Sequence, residues 1–314
     1  MRLFGSSGTR GIANREVTPE FCLRIGLAVG TVMDDRVAVG RDTRKTGKML
    51  ADAAVSGLMS VGCAVDRLGE LPTPATQFYA EREGIPAVMI TASHNPPEYN
   101  GVKLIGRDGI ELSVERLERI EDVFDEECVE RVPWNETGDS RTIEGARRAY
   151  IEELIASVER ERIADANLTI ALDPGHGAGA LTSPRIFREL GCDVRTVNAQ
   201  PDGTFPGRDP EPIPENLTDL GRLVRATDAD VGIAHDGDAD RAIFFDEHGQ
   251  YIEGDATFAA LAAASLELDD TTVSAVTVSK RLVDVTERAG ADLELTPVGS
   301  TRIISRVRDL ENEG

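Results

Sequence analysis

Two short segments carry the residue types that could do chemistry. In "AHDGDADRAIFF", residues 234–245, Asp236, Asp238 and Asp240 alternate with small residues in a turn between apolar runs. Three carboxylates this close repel one another, so such a turn serves to hold a hard divalent cation through oxygen, and Mg2+ is the ion expected. An EF-hand loop is the rival, because Glu247 falls at its twelfth position. Arg241 stands where that loop needs glycine, and the flanks read as strands, which speaks against it. A merely solvated acidic turn is the bland alternative. Arg241 either neutralises one aspartate or steadies a transferring phosphate with its planar fork.

The second segment, "TASHNPPEYNGVKL" at residues 91–104, places Ser93 directly after the apolar run "AVMI". The carboxyl end of a buried strand is where open α/β sheets hold ligands. A serine hydroxyl is a poor nucleophile unless a base, a lowered pKa or a metal assists it. Ser-His-Asp hydrolysis fits badly: no G-x-S-x-G elbow surrounds Ser93, and His94 is its sequence neighbour, whose side chain should point away in an extended turn. A serine that carries a phosphate beside a metal suits the residues better, with His94, Asn95, Lys103 and Arg10 as candidate donors around it. Taken alone, Ser93 could equally be a turn or N-cap serine.

Apolar runs rich in Val, Ile and Ala alternate with amphipathic stretches, the pattern of helices packed on mostly parallel sheets, so the fold class is α/β. Thr18 reads as an N-cap with Pro19 at the first helical position; "RVAVGRD" reads as a strand, residues 43–62 as a helix, and "PAVMITAS" as the strand that delivers Ser93. A polar, irregular stretch near 126–145 suggests a boundary. The expected organisation is therefore successive similar α/β domains over residues 1–145 and 146–252, with mixed, mostly parallel sheets, and a partial third over 253–314. A hairpin is expected at His248-Gly249.

Against 56 acidic residues stand 34 Lys plus Arg, giving a formal net charge of -22, and only Lys45, Lys48, Lys103 and Lys280 are lysines. Such acidity repels nucleic acid and anionic membranes and keeps a protein dispersed in strong salt, as expected of a halophile's protein; an acidic surface in an ordinary cytoplasm is the alternative. An anionic substrate could bind only where cations are concentrated locally. Apolar runs such as "AALAAA" fall far short of the roughly 18 to 20 residues of a membrane span. The amino terminus lacks an apolar core of a secretory signal, so a cytoplasmic location is expected. Cys22, Cys63, Cys128 and Cys192 form no CxxC pair and read as buried reduced thiols.

Together "FGSSGTRG", "TASHNPPEYNGVK", "PDGTFPGRDPEPIPENL" and "DGDADR" resemble the α-D-phosphohexomutase family, which includes phosphoglucomutases, phosphomannomutases and phosphoglucosamine mutases. The resemblance covers almost the whole chain and suggests a haloarchaeal member. It implies that Ser93 is the phosphorylated serine and a metal ligand with Asp236, Asp238 and Asp240, the cofactor being Mg2+. It further implies that Arg10, His94, Lys103 and Arg241 lie near the transferred group, with Lys103 or His94 as general acid or base at a pKa moved toward neutrality. Asp42 and Arg44 in "GRDTR", and Asp173 and His176 in "LDPGHGAG", would be architectural.

The implied reaction moves a phosphoryl group between positions 1 and 6 of a hexose phosphate through phospho-Ser93 and a hexose 1,6-bisphosphate. Glucose or mannose phosphate is the first expectation and glucosamine phosphate the next. The family's G-E-x-S-G-H and R-x-S-G-T-E-P loops do not occur in these 314 residues, and the match ends in "TPVGSTRI" at 296–303. Two readings follow: a phosphohexomutase seen as a fragment or completed by another chain, or a shortened, weakly active paralogue that binds Mg2+ and phosphosugar.

Overall fold

A computed structural model describes residues 4, 8–33, 35–126 and 129–313. Cys128 and residues 5–7 of the "FGSSGTRG" segment lie outside the described residues. Residues 1–250 form one compact unit and residues 251–314 another.

The first unit opens with β1 (Thr9–Ile12), α1 (Pro19–Val32), β2 (Arg36–Arg41), α2 (Gly47–Ser60), β3 (Ala64–Glu70), α3 (Thr73–Glu83), β4 (Ala87–Ile90), β5 (Tyr99–Ile105), α4 (Val114–Asp125) and β6 (Ser140–Thr142). Thr18 caps α1, its hydroxyl accepting from the amide of Phe21 at 3.2 Å, and Pro19 supplies a pre-set φ at the first helical position. The six strands lie in the order β1-β5-β4-β2-β3-β6. β2 pairs parallel with β3 and β4, and β5 runs antiparallel between β4 and β1. All four residues of β4 are buried, as expected of a strand covered on both faces. One apolar cluster joins α1, α2 and α4 residues such as Ile25, Leu50 and Ile120 to the sheet; a second, with Ala75, Tyr79 and Ala146, covers the opposite face.

The same unit continues through α5 (Ala146–Ala156), α6 (Arg160–Asp165), β7 (Thr169–Asp173), α7 (Ser183–Glu189), β8 (Asp193–Thr196), α8 (Thr218–Thr227), β9 (Val231–His235) and β10 (Ala242–Phe245). Within this unit the second sheet runs β8-β7-β9-β10, with β7 parallel to β8 and β9, and β10 turned back antiparallel on β9. Beyond β10, Asp246 and Gly249 close the expected tight turn. Parallel strands put their carboxyl ends together, so β2 and β4 of one sheet and β7 and β9 of the other each present a row of loops there.

The second unit holds β11 (Tyr251–Ile252), α9 (Gly254–Ser265), β12 (Thr271–Ala275), α10 (Lys280–Ala289), β13 (Asp292–Thr296) and α11 (Ser300–Glu313). β12 and β13 pair in parallel as a two-stranded sheet. Among the described residues no helix is long and apolar enough to cross a membrane.

Candidate active site

β4 ends at Ile90 and releases the chain into the serine loop. Its direction reverses at Ser93, whose φ of 50° lies in the left-handed region that non-glycine residues avoid at a cost of about 1 kcal/mol or more. The Ser93 amide donates to the Thr91 hydroxyl at 2.9 Å, which in turn donates to Asp42 at 2.7 Å. Because the turn is left-handed and not extended, the expectation that His94 points away from Ser93 is corrected: His94 Nδ1 lies 3.3 Å from Ser93 Oγ.

β9 delivers the acidic loop. Its return strand β10 sets Ala242 opposite His235, and the six residues between them form a tight turn with Ala239 at a φ of 56°. Asp236 and Asp238 are fully buried, whereas Asp240 faces the opening. The two loops meet: Ser93 Oγ donates to Asp236 Oδ2 at 2.6 Å although the residues stand 143 apart in sequence. Lys103, on β5, donates to Asp238 Oδ2 at 2.9 Å and to Asp240 Oδ2 at 2.5 Å. Arg10, on the neighbouring β1, donates to Asn95 Oδ1 at 3.1 Å. Arg241 gives its amide to Asp236 Oδ1 at 3.3 Å. All the residues expected at the site are thus gathered around one point.

Electrostatics explain what the point is for. Burial, then the charges of Asp238 and Asp240, pushes the Asp236 carboxyl well above the usual carboxylate range. Burial also works against the Asp238 carboxylate, yet the Lys103 ammonium and the Thr73 hydroxyl hold it at about 2. Burial disfavours the Lys103 ammonium, but Asp238 and Asp240 outweigh it and keep the pKa above its ordinary value. A pKa moved toward neutrality, expected for either Lys103 or His94, is therefore not what Lys103 shows in this arrangement. Burial, aided by Arg241 and Arg10, lowers the His94 pKa, so its ring is neutral at neutral pH.

The donor set suits a hard divalent cation. Carboxylate oxygens of Asp236, Asp238 and Asp240 lie within 4.8 Å of one another, and Asp238 Oδ1 is buried with no hydrogen-bond partner. An orphaned, buried, charged oxygen is costly unless something cationic meets it.

Thr73 and Thr91 were not evident from sequence as parts of the site. Thr73, at the start of α3, donates its hydroxyl to Asp238 Oδ2 at 2.6 Å and its amide to the Asp238 carbonyl at 2.9 Å. The only local signal for Thr73 is a proline-flanked helix start, which says nothing of a partner 165 residues away. Thr91, two residues before Ser93, carries the weak signal of a Ser/Thr turn.

Two open α/β sheets whose carboxyl-end loops press a serine hydroxyl against three clustered carboxylates define an α/β protein whose site suits a divalent cation. Family models described as phosphoglucomutase/phosphomannomutase, alpha/beta/alpha domain I and domain II match residues 1–130 and 148–249. A phosphoglucomutase/phosphomannomutase from Thermococcus kodakarensis is 46% identical, over 100% of this chain and 70% of that relative. A probable phosphoglucosamine mutase from Methanopyrus kandleri is 42% identical over 98% of this chain and 68% of its own. The solved structure of a phosphoglucomutase/phosphomannomutase family protein from Burkholderia thailandensis superposes with a TM-score of 0.88 at 26% identity, covering 98% of this chain and 69% of that one. The chain belongs to the phosphoglucomutase/phosphomannomutase family, a family of mutases that are isomerase-type phosphotransferases.

Proposed function

We propose that the chain carries the phosphoserine half of a phosphohexomutase: Ser93 accepts a phosphoryl group, passes it to a hydroxyl of a hexose phosphate, and receives the sugar's other phosphoryl group in return. The single observation that carries this reading is the 2.6 Å contact between Ser93 Oγ and Asp236, with Lys103 bridging the two remaining carboxylates. In the forward step the bond from phosphorus to Ser93 Oγ breaks as one to the sugar oxygen forms, leaving a hexose 1,6-bisphosphate. His94, neutral and within 3.3 Å of Oγ, is placed to take the proton of the sugar hydroxyl. Arg10 and Arg241 supply positive charge beside the transferred group, and Lys103 fixes the carboxylates of Asp238 and Asp240 in place.

Asp236, Asp238, Asp240 and Ser93 Oγ are the groups that would hold Mg2+, which when bound neutralises the carboxylates and polarises the phosphoryl oxygens. The domain organisation that goes with this reading is 1–145 bearing the serine loop, 146–252 bearing the metal loop, and 253–314 as part of a third domain. Glucose or mannose phosphate is the substrate favoured, since the Thermococcus relative carries those names, and glucosamine phosphate follows from the Methanopyrus one. A cytoplasmic setting with strong salt goes with the acidic surface.

The chain spans about 70% of the length of that Thermococcus relative. A Mg2+- and phosphosugar-binding module of low turnover is the rival reading. Incubation with Mg2+, glucose 1,6-bisphosphate and glucose 1-phosphate separates them. Formation of glucose 6-phosphate that disappears in Ser93→Ala is the expected result. Binding with phosphate transfer to Ser93 but no isomerisation would favour the module, and release of inorganic phosphate alone would favour a hydrolase. Isomerisation by Ser93→Ala at the parent's rate would refute the phosphoserine itself.

A further inference from the structure

Two buried arginines take no direct part in the chemistry above, yet each is bonded to one of the two loops that perform it. Arg44 is 1% exposed and its Nε donates to Asp42, the residue directly after β2, at 3.1 Å. Its Nη1 donates to the carbonyls of Pro96 at 2.7 Å and Tyr99 at 3.0 Å, and its Nη2 to those of Ser93 at 2.9 Å and Asn95 at 2.6 Å. Arg208 repeats the pattern in the second sheet. Its Nε donates to Asp173, the last residue of β7, at 3.0 Å. Its Nη2 reaches the carbonyls of His235 at 2.6 Å and Asp173 at 3.3 Å, and its Nη1 those of Asp209 at 3.0 Å and Pro210 at 3.4 Å.

In both cases an aspartate at the end of a central parallel strand anchors a guanidinium, and the rigid fork of N–H donors gathers backbone carbonyls that helix or sheet would otherwise satisfy. The carbonyls chosen matter: one belongs to Ser93 itself and one to the residue just before Asp236. Glycines let the loops close on these groups. A Cβ at Gly175 would lie 2.5 Å from Arg208 Nη2, and one at Gly237 would lie 2.5 Å from the Ser93 carbonyl and 3.6 Å from Arg44 Nη2.

We propose that Arg44 and Arg208 are matched positioning residues, Arg44 locking the serine loop with its left-handed Ser93 and Arg208 locking the entry to the metal loop. This rests on the reading that these two loops meet to transfer a phosphoryl group. A lysine at either place keeps the charge but cannot reach four carbonyls.

The test uses Arg44→Lys and Arg208→Lys in the full chain, with amide hydrogen exchange over residues 91–100 and 234–241 and calorimetric titration with Mg2+. Arg44→Lys is expected to speed exchange in 91–100 about tenfold or more while 234–241 stays within about twofold. Arg208→Lys is expected to do the reverse and to weaken Mg2+ binding about tenfold, as loss of an outer support of a metal site does. Both loops loosening equally in each variant, or neither loosening, overturns the proposal. Should a lysine variant fail to fold, Asp42→Asn and Asp173→Asn, which remove the charge that anchors Arg44 and Arg208 respectively, must show the same loop-by-loop separation. Neither readout needs turnover, so an inactive chain that shows the separation keeps the positioning roles while losing the mutase reading. An active chain without it loses only the positioning roles.

Discussion

Asp66 shows how single residues of this chain hold charge inside the sheet. It is 2% exposed on β3; Arg36 and Arg141 pair with it, the latter at 2.7 Å, and the Tyr79 hydroxyl donates at 2.8 Å. Burial works against its carboxylate, but the hydrogen bonds from Arg141, Arg36 and Tyr79 win and hold its pKa below the ordinary value. A carboxylate depressed in the folded state stabilises above its unfolded pKa of about 3.9, and that stabilisation is lost as pH falls through the folded value. Asp66→Asn is therefore expected to lower stability by about 1–3 kcal/mol at pH 7. The gap between parent and variant, measured by denaturant midpoints, should narrow below about pH 4. A gap that widens on acidification would show that the carboxylate is not what matters. None of this could be read from "VDRLGE", because the three partners come from β2, α3 and β6.

Between elements, α1 and α2 approach each other closely. A Cβ on Gly26 would lie 2.2 Å from the Ala54 carbonyl oxygen, and one on Gly57 would lie 2.2 Å from that of Leu23. Each helix thus rests its backbone on the other's glycine, and neither obstacle is a side chain that can swing aside. Glycine within a helix costs about 1 kcal/mol relative to alanine, so only this contact justifies it. Gly57→Val is expected to destabilise by about 1–3 kcal/mol or more through overpacking, read as a lowered denaturant midpoint with unchanged slope. An unchanged or raised midpoint would mean that the helices separate at little cost. Helices and strands themselves were largely legible: Thr18-Pro19 announced α1, and the Val- and Ala-rich runs announced β2 and β4. The Gly26–Gly57 crossing was not, since glycine in an apolar stretch signals a turn as readily as a close contact.

Over the whole molecule the net charge of -22 acts at long range. Raising KCl shortens the screening length from about 10 Å at 0.1 M to about 3 Å at 1 M and relieves this self-repulsion. Thermal midpoints are expected to climb steadily with KCl over that range; a flat or falling series would show that local pairing already compensates the acidity. At the site the charges are more nearly balanced. Arg10, Lys103 and Arg241 there offset the carboxylates of Asp236, Asp238 and Asp240, and under the proposed function a bound divalent cation would tip that balance toward an anionic ligand. The buried thiols are part of the same whole: Cys22, Cys63 and Cys192 are enclosed, and burial lifts the Cys22 thiol to about 12 and Cys63 to about 11.

By itself the sequence determined what is written locally: the α/β class, the strand that ends in Ser93, the alternating carboxylates, and the family that these motifs resemble. Periodicity and turn chemistry act over a few residues, and those features need no more. Only the tertiary structure decided that Ser93 meets Asp236, that Lys103 is pinned between Asp238 and Asp240, that His94 folds back toward the serine, and that Arg44 and Arg208 grip the two loops. Those facts depend on strand order, which brings the carboxyl ends of β2, β4, β7 and β9 together from positions well over a hundred residues apart, and no spacing within the chain encodes a distance across it.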